Sequence, residues 1–387
     1  MNSIYLDNAA TTCIRKEVVD EMTVVLNSIY GNPSSTHSYG RKSKSIIEKC
    51  RKRIAAHFNV MASEIIFTSG GTEADNLVLR SAVYDLGVKH LITSRIEHHA
   101  VSHTILQLSN EKDIKVSYVN LLKNGSVNLD HLNDLLSASN GKTLVSLMHI
   151  NNEIGTILDI KLVGNLCKKH DAYFHSDTVQ SVGRYNLNLS EIPIDFLAAS
   201  AHKFHGPKGI GFAFIRKGLD LKPIITGGSQ ERGYRAGTES VHDIVGLDLS
   251  LQIAHEKMKN ESIYISELKS YFVERLKGEI PGVIFNGDSD CEKTTTYTIL
   301  NVCFPVPREK AQLFLFELDL NSISCSTGSA CQSGSNSKSH VLKEILGKND
   351  LEKPSIRFSL STFNTKAEID RVIKVINTLM NNSIKIS

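Results

Sequence analysis

Short apolar runs recur through the first two thirds of the chain: Glu64–Thr68, His90–Thr93, Lys115–Val119, Leu144–His149, Ala172–Ser176, Phe196–Ala199 and Gly211–Ile215. Their length predicts strands. Between several of them, apolar residues fall at helical spacing, as in Val18, Met22, Val25, Ile29 and again over Leu162–Lys169. Strand and helix in alternation predict βαβ units: a mainly parallel sheet with helices on both faces, in the α/β class. A long helical pattern over Val245–Lys277 follows, then candidate strands Tyr297–Cys303 and Ser355–Ser359. A last helix over Ala367–Asn381 carries Ile369, Val372, Ile373, Ile376, Leu379 and Met380 on one face. This second pattern predicts a smaller α+β domain, with the boundary near residue 260 inside the long helix.

Composition fits a chain of this kind. At 387 residues, two domains and a large core are affordable. The 41% hydrophobic and 22% charged fractions belong to an ordinary globular protein, and a net charge of +3 gives no footing for a nucleic-acid binder. The densest basic stretch, Arg41, Lys42, Lys44, Lys49, Arg51, Lys52 and Arg53, reads as a solvated helix face. No secretory leader is visible at Met1–Thr12, and no apolar run is long enough for a bilayer, so a cytoplasmic protein without membrane contact is expected. Seven scattered cysteines without a CxxC pair predict free thiols and no metal site.

Candidate chemistry clusters just past the predicted strand ends. Ser69-Gly70-Gly71-Thr72-Glu73 joins a strand to a helical pattern, Ala74–Leu86. Such a turn is either a plain helix start or a phosphate cradle, because the free N–H groups and the helix dipole favour an anion. It matches neither a Walker A loop nor GxGxxG, which disfavours ATP and dinucleotides. Asp177 closes Phe174-His175-Ser176-Asp177; it is either a helix cap or a partner for a protonated ring nitrogen, as pyridoxal phosphate (PLP) requires. Lys203 follows the run Ile194–Leu197 in Ser200-Ala201-His202-Lys203, before His205-Gly206-Pro207. A surface lysine is the simple alternative, but burial past a strand would lower its pKa and suit an imine-forming amine. His98, His99 and Asn152 also lie beyond strand ends. In a doubly wound sheet all these ends meet at one crevice. Ser324–Ser339 (SCSTGSACQSGSNSKS) is rich in Ser and Gly and predicts a mobile surface loop, either a linker or a carrier of the thiol of Cys331.

Together these stretches resemble the NifS/IscS-type (group I) cysteine desulfurases, within the class-V aminotransferase family of PLP enzymes. The resemblance runs through YLDNAATT (Tyr5–Thr12), GNPSSTH (Gly31–His37), FTSGGTEADN (Phe67–Asn76), EHHAV (Glu97–Val101) and MHINNEIG (Met148–Gly155). It continues in HSDTVQSVG (His175–Gly183), SAHKFHGPKGIG (Ser200–Gly211), ERGYRAGTESV (Glu231–Val241), STGSACQS (Ser326–Ser333) and SIRFSLS (Ser355–Ser361). It implies the PLP-dependent transferase fold type I (aspartate-aminotransferase-like). A large PLP domain is expected over residues 14–260. A small domain would comprise 1–13 and 261–387 and carry the mobile cysteine loop at about 324–340.

By position, the resemblance implies that Lys203 binds the cofactor as an imine and acts as the base at the substrate Cα. It implies that Asp177 pairs with the ring nitrogen, His98 stacks on the ring, and Asn152 and Gln180 contact its 3-hydroxyl side. Gly71, Thr72, Ser200 and His202 would hold the phosphate, and Thr238 would reach the phosphate of the other subunit in a homodimer. Arg357, assisted by Asn32, would clamp the substrate carboxylate, a task suited to a planar fork. Cys331 would take the sulfur of L-cysteine as a persulfide, leaving alanine, with His98 as a candidate proton acceptor. The sulfur would then pass to an acceptor protein in iron–sulfur assembly or thiolation. The long Ser/Gly/Asn stretch after Cys331 resembles the NifS/IscS group rather than the SufS group, and Cys325 reads as a buried strand thiol. Two features depart from the family pattern. Asp177-Thr178-Val179-Gln180 stands where DATQ or DAVQ is commoner. The chain also ends soon after the last helix, so scaffold docking through a longer tail is not carried over. Aminotransfer or selenocysteine lysis on the same fold, and a non-catalytic sulfur-carrier adaptor, are the competing readings.

Overall fold

The computed structural model describes residues 3–328 and 339–384. Cys331 lies outside the described residues, as does most of the predicted cysteine loop. The elements begin with β1 (Ile4–Tyr5), α1 (Lys16–Ser28), α2 (Ser38–His57), β2 (Ile65–Thr68), α3 (Gly71–Tyr84), β3 (His90–Thr93) and α4 (His99–Glu111). Next come β4 (Lys115–Tyr118), α5 (Leu129–Ser137), β5 (Thr143–Ser146), α6 (Ile160–Lys169), β6 (Tyr173–Asp177), β7 (Phe196–Ser200) and β8 (Gly211–Ile215). The chain continues through α7 (Val241–Glu279), β9 (Ile284–Phe285), β10 (Ile299–Cys303), α8 (Arg308–Leu320), β11 (Ile323–Ser324), α9 (His340–Ile345), β12 (Ser355–Ser359) and α10 (Lys366–Ile384).

A seven-stranded sheet in the order β2-β8-β7-β6-β5-β3-β4 forms the centre. Its pairings are parallel except those of β8, which runs antiparallel to both β2 and β7. The strands are apolar on both faces because both faces are covered. Ile65, Phe67, Val145, Phe174, Leu197 and Phe214 pack with α2, α6 and the start of α7. The alternate residues, Ile66, Leu144, Phe196, Ala198 and Ala213, pack with α3 and α4. This period of two is that of a pleated strand.

The smaller sheet, β12-β10-β9, is antiparallel, and β1 pairs in parallel with β11. Its core joins Ile4 and Leu6 to Leu268, Phe272, Val302, Phe358 and the predicted apolar face of α10. One long helix serves both cores: Val241–Leu251 of α7 face the central sheet, and Ile265–Leu276 face the smaller one. Among the described residues, no helix is long and apolar enough to cross a membrane.

The structure changes two local expectations. The predicted strand Leu144–His149 closes early, at Ser146, although Leu147 and His149 still donate backbone hydrogen bonds to His175 and Asp177. The basic stretch does lie on a helix, α2, and its lysines are exposed, but Arg51 is buried and bonded to Glu231.

Candidate active site

The strands β2, β3, β5, β6 and β7 all deliver chain to one edge of the sheet, where a cavity of about 210 Å³ opens. Gly71, Thr72, His98, Asn152, Asp177, Gln180, Ser200, His202, Lys203 and Arg357 line it. Residues predicted from positions 286 apart in sequence thus share one space. The N-terminus of α3 reaches the cavity beside Ser200. A Cβ on Gly71 would stand 2.5 Å from Val179 Cγ2, so only glycine lets the helix start approach this closely. Unpaired first-turn N–H groups there offer an anion seat.

Lys203 ends a turn of 3-10 helix directly after β7. Its Nζ donates to Ala9 O at 2.6 Å and Ala10 O at 2.8 Å, and Arg184 Nη2 donates to Lys203 O at 2.9 Å. Asp177, at the last position of β6, accepts Val179 N at 2.9 Å through Oδ1. Burial pushes its carboxyl up to about 6, against the pull of the Lys203 ammonium. A cation facing this carboxyl would favour its ionised form. Gln180 is buried, donates to Ala9 O at 2.9 Å and accepts from Arg184.

His98 caps α4: its Nδ1 accepts Ala100 N at 3.1 Å. Burial, then the charge of Lys203, lowers its pKa to about 4. The neutral ring therefore carries its hydrogen on Nε2, which makes it a donor at that atom and, while the cap holds, a poor proton acceptor. His202 is also lowered to about 4, chiefly by burial, and its Nδ1 lies 3.1 Å from Thr11 Oγ1.

Arg357 comes from β12, across from the central sheet. It is 1% exposed; Nη1 donates to Asn152 O and Nη2 to Asp7 Oδ1, each at 2.8 Å, while Nε is buried with no hydrogen-bond partner among the described residues. Its backbone exchanges two hydrogen bonds with Ser326. Ser326 stands five residues before Cys331, a span of at most about 17 Å of extended chain. On the far side of the undescribed segment, Ser339 donates to Glu153 Oε2, and His340 Nε2 lies 2.9 Å from Glu97 O. Cys325, just past β11, is half-buried, and burial pushes its thiol up to about 12.

Two predicted residues stay out of this cavity. Asn32 is exposed, and its Oδ1 accepts Ser34 N. Thr238 is exposed on the segment after Arg235. The structure adds Ala9, Ala10, Met148, Val179 and Asp75 to the lining. Asp75 lies within FTSGGTEADN, but its reach into the site depends on a neighbour a hundred residues away and leaves no local signal.

Residues 4–372 match the family Aminotransferase class-V. The chain belongs to this family. Cysteine desulfurase IscS of Dictyoglomus turgidum is 40% identical over 382 residues, covering 97% of this chain and 94% of the relative. Cysteine desulfurase IscS of Clostridium botulinum is 40% identical, covering 96% and 93%. Among solved structures, a NifS-like protein superposes with a TM-score of 0.89 at 34% identity, over 98% of this chain and all of that one. The structure of SspA in complex with cysteine superposes at 0.81 with 31% identity, over 94% of this chain.

Class-V aminotransferases are PLP-dependent, and the residues present fit that cofactor. The glycine-bounded start of α3 and Ser200 suit a phosphate, the buried Asp177 carboxyl suits a protonated ring nitrogen, and the Lys203 amine suits the aldehyde carbon. When bound, PLP supplies an electron sink for the bonds at the substrate Cα.

Proposed function

We propose that this chain is a cysteine desulfurase, converting L-cysteine to L-alanine and transferring the sulfur to Cys331 as a persulfide. One observation carries the reading. Lys203, Asp177 and Arg357 face a single cavity, and the stem of the Cys331 segment is backbone-bonded to Arg357 itself. Arg357, which lines the cavity, would bind the substrate carboxylate. Lys203 would hold the cofactor and then remove the Cα proton. Asp177 would keep the ring nitrogen protonated, while Asn152 and Gln180 face the 3-hydroxyl side and Gly71, Thr72, Ser200 and His202 the phosphate. His98 would stack on the ring and donate a hydrogen bond from Nε2–H. The Cys331 thiolate would attack the substrate sulfur: the new S–S bond forms as the C–S bond breaks, and the carbon skeleton leaves as alanine after protonation.

Exposed Val24, Leu26, Tyr30 and Tyr39 near α1 and α2 supply an apolar face for a homodimer, in which Thr238 would enter the partner's cavity. The change of core along α7 supports dividing the chain into 14–260 and 1–13 with 261–387. A cytoplasmic site of action, with an iron–sulfur scaffold or thiolation carrier as sulfur acceptor, completes the reading.

Incubating the PLP-loaded protein with L-cysteine tests it. Alanine should form, and mass spectrometry should place a persulfide on Cys331. Cys331→Ala and Lys203→Ala should each lower alanine formation by roughly 100-fold or more, the scale of a missing catalytic group. Alanine formed without persulfide on Cys331 would exclude the sulfur-transfer step.

A further inference from the structure

Beneath the cavity lies a buried polar group that the steps above leave unused. β6 carries His175 and Asp177 two positions apart, so both project from one face of the strand. α3 crosses that face and brings Asp75 against His175, with Asp75 Oδ1 3.3 Å from His175 Nε2. Asp75 is 1% exposed and His175 is fully buried, yet Asp75 still lines the cavity. The approach is an ion-pair distance rather than a formed hydrogen bond: among the described residues neither atom has a hydrogen-bond partner, so two buried polar atoms face each other unsatisfied. The second ring nitrogen, His175 Nδ1, lies 2.9 Å from Ser146 Oγ.

The proton count of this group is constrained. Three buried carboxyl groups, of Asp75, Asp177 and Glu97, lie near enough to act on one another, with the Lys203 ammonium acting on Asp177. Burial and mutual repulsion disfavour ionising all three together. Burial, then the charges of Asp177 and Glu97, pushes Asp75 well above the usual carboxylate range. Burial pushes Glu97 up to about 8 and His175 down to about 3. A neutral imidazole has one N–H. In the tautomer whose Nδ1–H donates to Ser146 Oγ, Nε2 is an acceptor, and Asp75 Oδ1, 3.3 Å away, belongs to a carboxyl that burial favours in its protonated form.

We infer that Asp75 is a positioning residue that works as a protonated carboxyl, donating to His175 Nε2 and so tying the phosphate-seating helix α3 to the strand that presents Asp177 to the ring nitrogen. The register favours this role. Asp75 sits one helical turn past Gly71 and Thr72, on the same side of α3. A neutral Asp75–His175 pair also adds no second negative charge at the ring-nitrogen end, which leaves Asp177 as the ionised carboxyl there once a cation faces it.

The inference rests on the cofactor reading above. Its test compares wild type, Asp75→Asn and Asp75→Ala in two measurements without substrate: equilibrium affinity of the apo-protein for PLP, and the pH titration of the visible band of the loaded protein. An asparagine places an N–H donor where the carboxyl O–H stood. Asp75→Asn should therefore keep the affinity within about threefold and the wild-type band midpoint, while Asp75→Ala should lose roughly tenfold in affinity, the scale of one buried hydrogen bond, and move the midpoint. If Asp75→Asn moves the midpoint as far as Asp75→Ala, the carboxyl acts by charge and the inference fails. It fails also if Asp75→Ala matches wild type in both measurements. A wild-type protein that takes up no PLP would instead remove the cofactor reading itself.

Discussion

Arg357 divides one guanidinium among three directions. Two arms hold Asn152 O and Asp7, and Nε is buried with no hydrogen-bond partner among the described residues, while the residue as a whole lines the cavity. The planar fork makes this possible, since its donors diverge at fixed angles. A lysine ammonium at the same position is a point charge and cannot serve Asp7 and a substrate carboxylate together. Arg357→Lys should thus raise the KM for L-cysteine by about tenfold to a hundredfold while lowering kcat less, as read from initial rates of alanine formation. An unchanged KM would remove Arg357 from the carboxylate site. Lys203 stood out in the sequence, because a charged residue just past an apolar strand is locally visible, whereas Arg357 came only from the family resemblance. The tautomer of His98 did not stand out. It depends on the cap that its Nδ1 makes with Ala100 N, a detail of backbone angle at the start of α4.

At the scale of elements, α2 shows where a charge pattern misleads. Its lysines are solvated, but Arg51 passes inward and meets Glu231 with two hydrogen bonds, while Arg53 bonds to the buried Asp248. Glu231 also accepts Phe67 N at the end of β2. Both Glu231 and Arg232 adopt left-handed backbone, with φ of 45° and 58°, a conformation that non-glycine residues hold only when their surroundings enforce it. The ion pair thus clamps the segment that leads to Thr238 onto the sheet. Removing one partner leaves a buried, unpaired charge, so Arg51→Met should cost about 3–5 kcal/mol of stability in denaturant unfolding. The double variant Arg51→Met/Glu231→Leu should recover part of that loss. A loss below about 1 kcal/mol would mean that the pair carries little stability.

For the whole molecule, the site belongs to both cores at once. Lys203 and Asp177 come from the central sheet, Arg357 from the smaller one, and α7 runs through both. Motion of one core against the other would therefore change the distance between cofactor and carboxylate seats. The single chain leaves Thr238 outside its own cavity and exposes Leu26 and Tyr30 at 57% and 74%. The loaded protein should sediment as a dimer, and Tyr30→Glu should shift it toward monomer and weaken PLP retention. A wild-type monomer with full PLP affinity would show that each chain builds its cofactor site alone.

The chain's own pattern determined the strands of the central sheet, the long helix, the apolar face of α10 and the strand-end placement of Lys203, Asp177 and His98. Each of these follows from a periodicity or a neighbour within a few residues, so a local sequence carries it. Only the tertiary structure decided that Arg51 is buried, that Asn32 lies outside the cavity and that Asp75 meets His175. The contacts in question join residues separated by 180 positions for Arg51 and Glu231 and by a hundred for Asp75 and His175. Packing of a helix on a strand sets such pairs, and neither partner's local pattern records it.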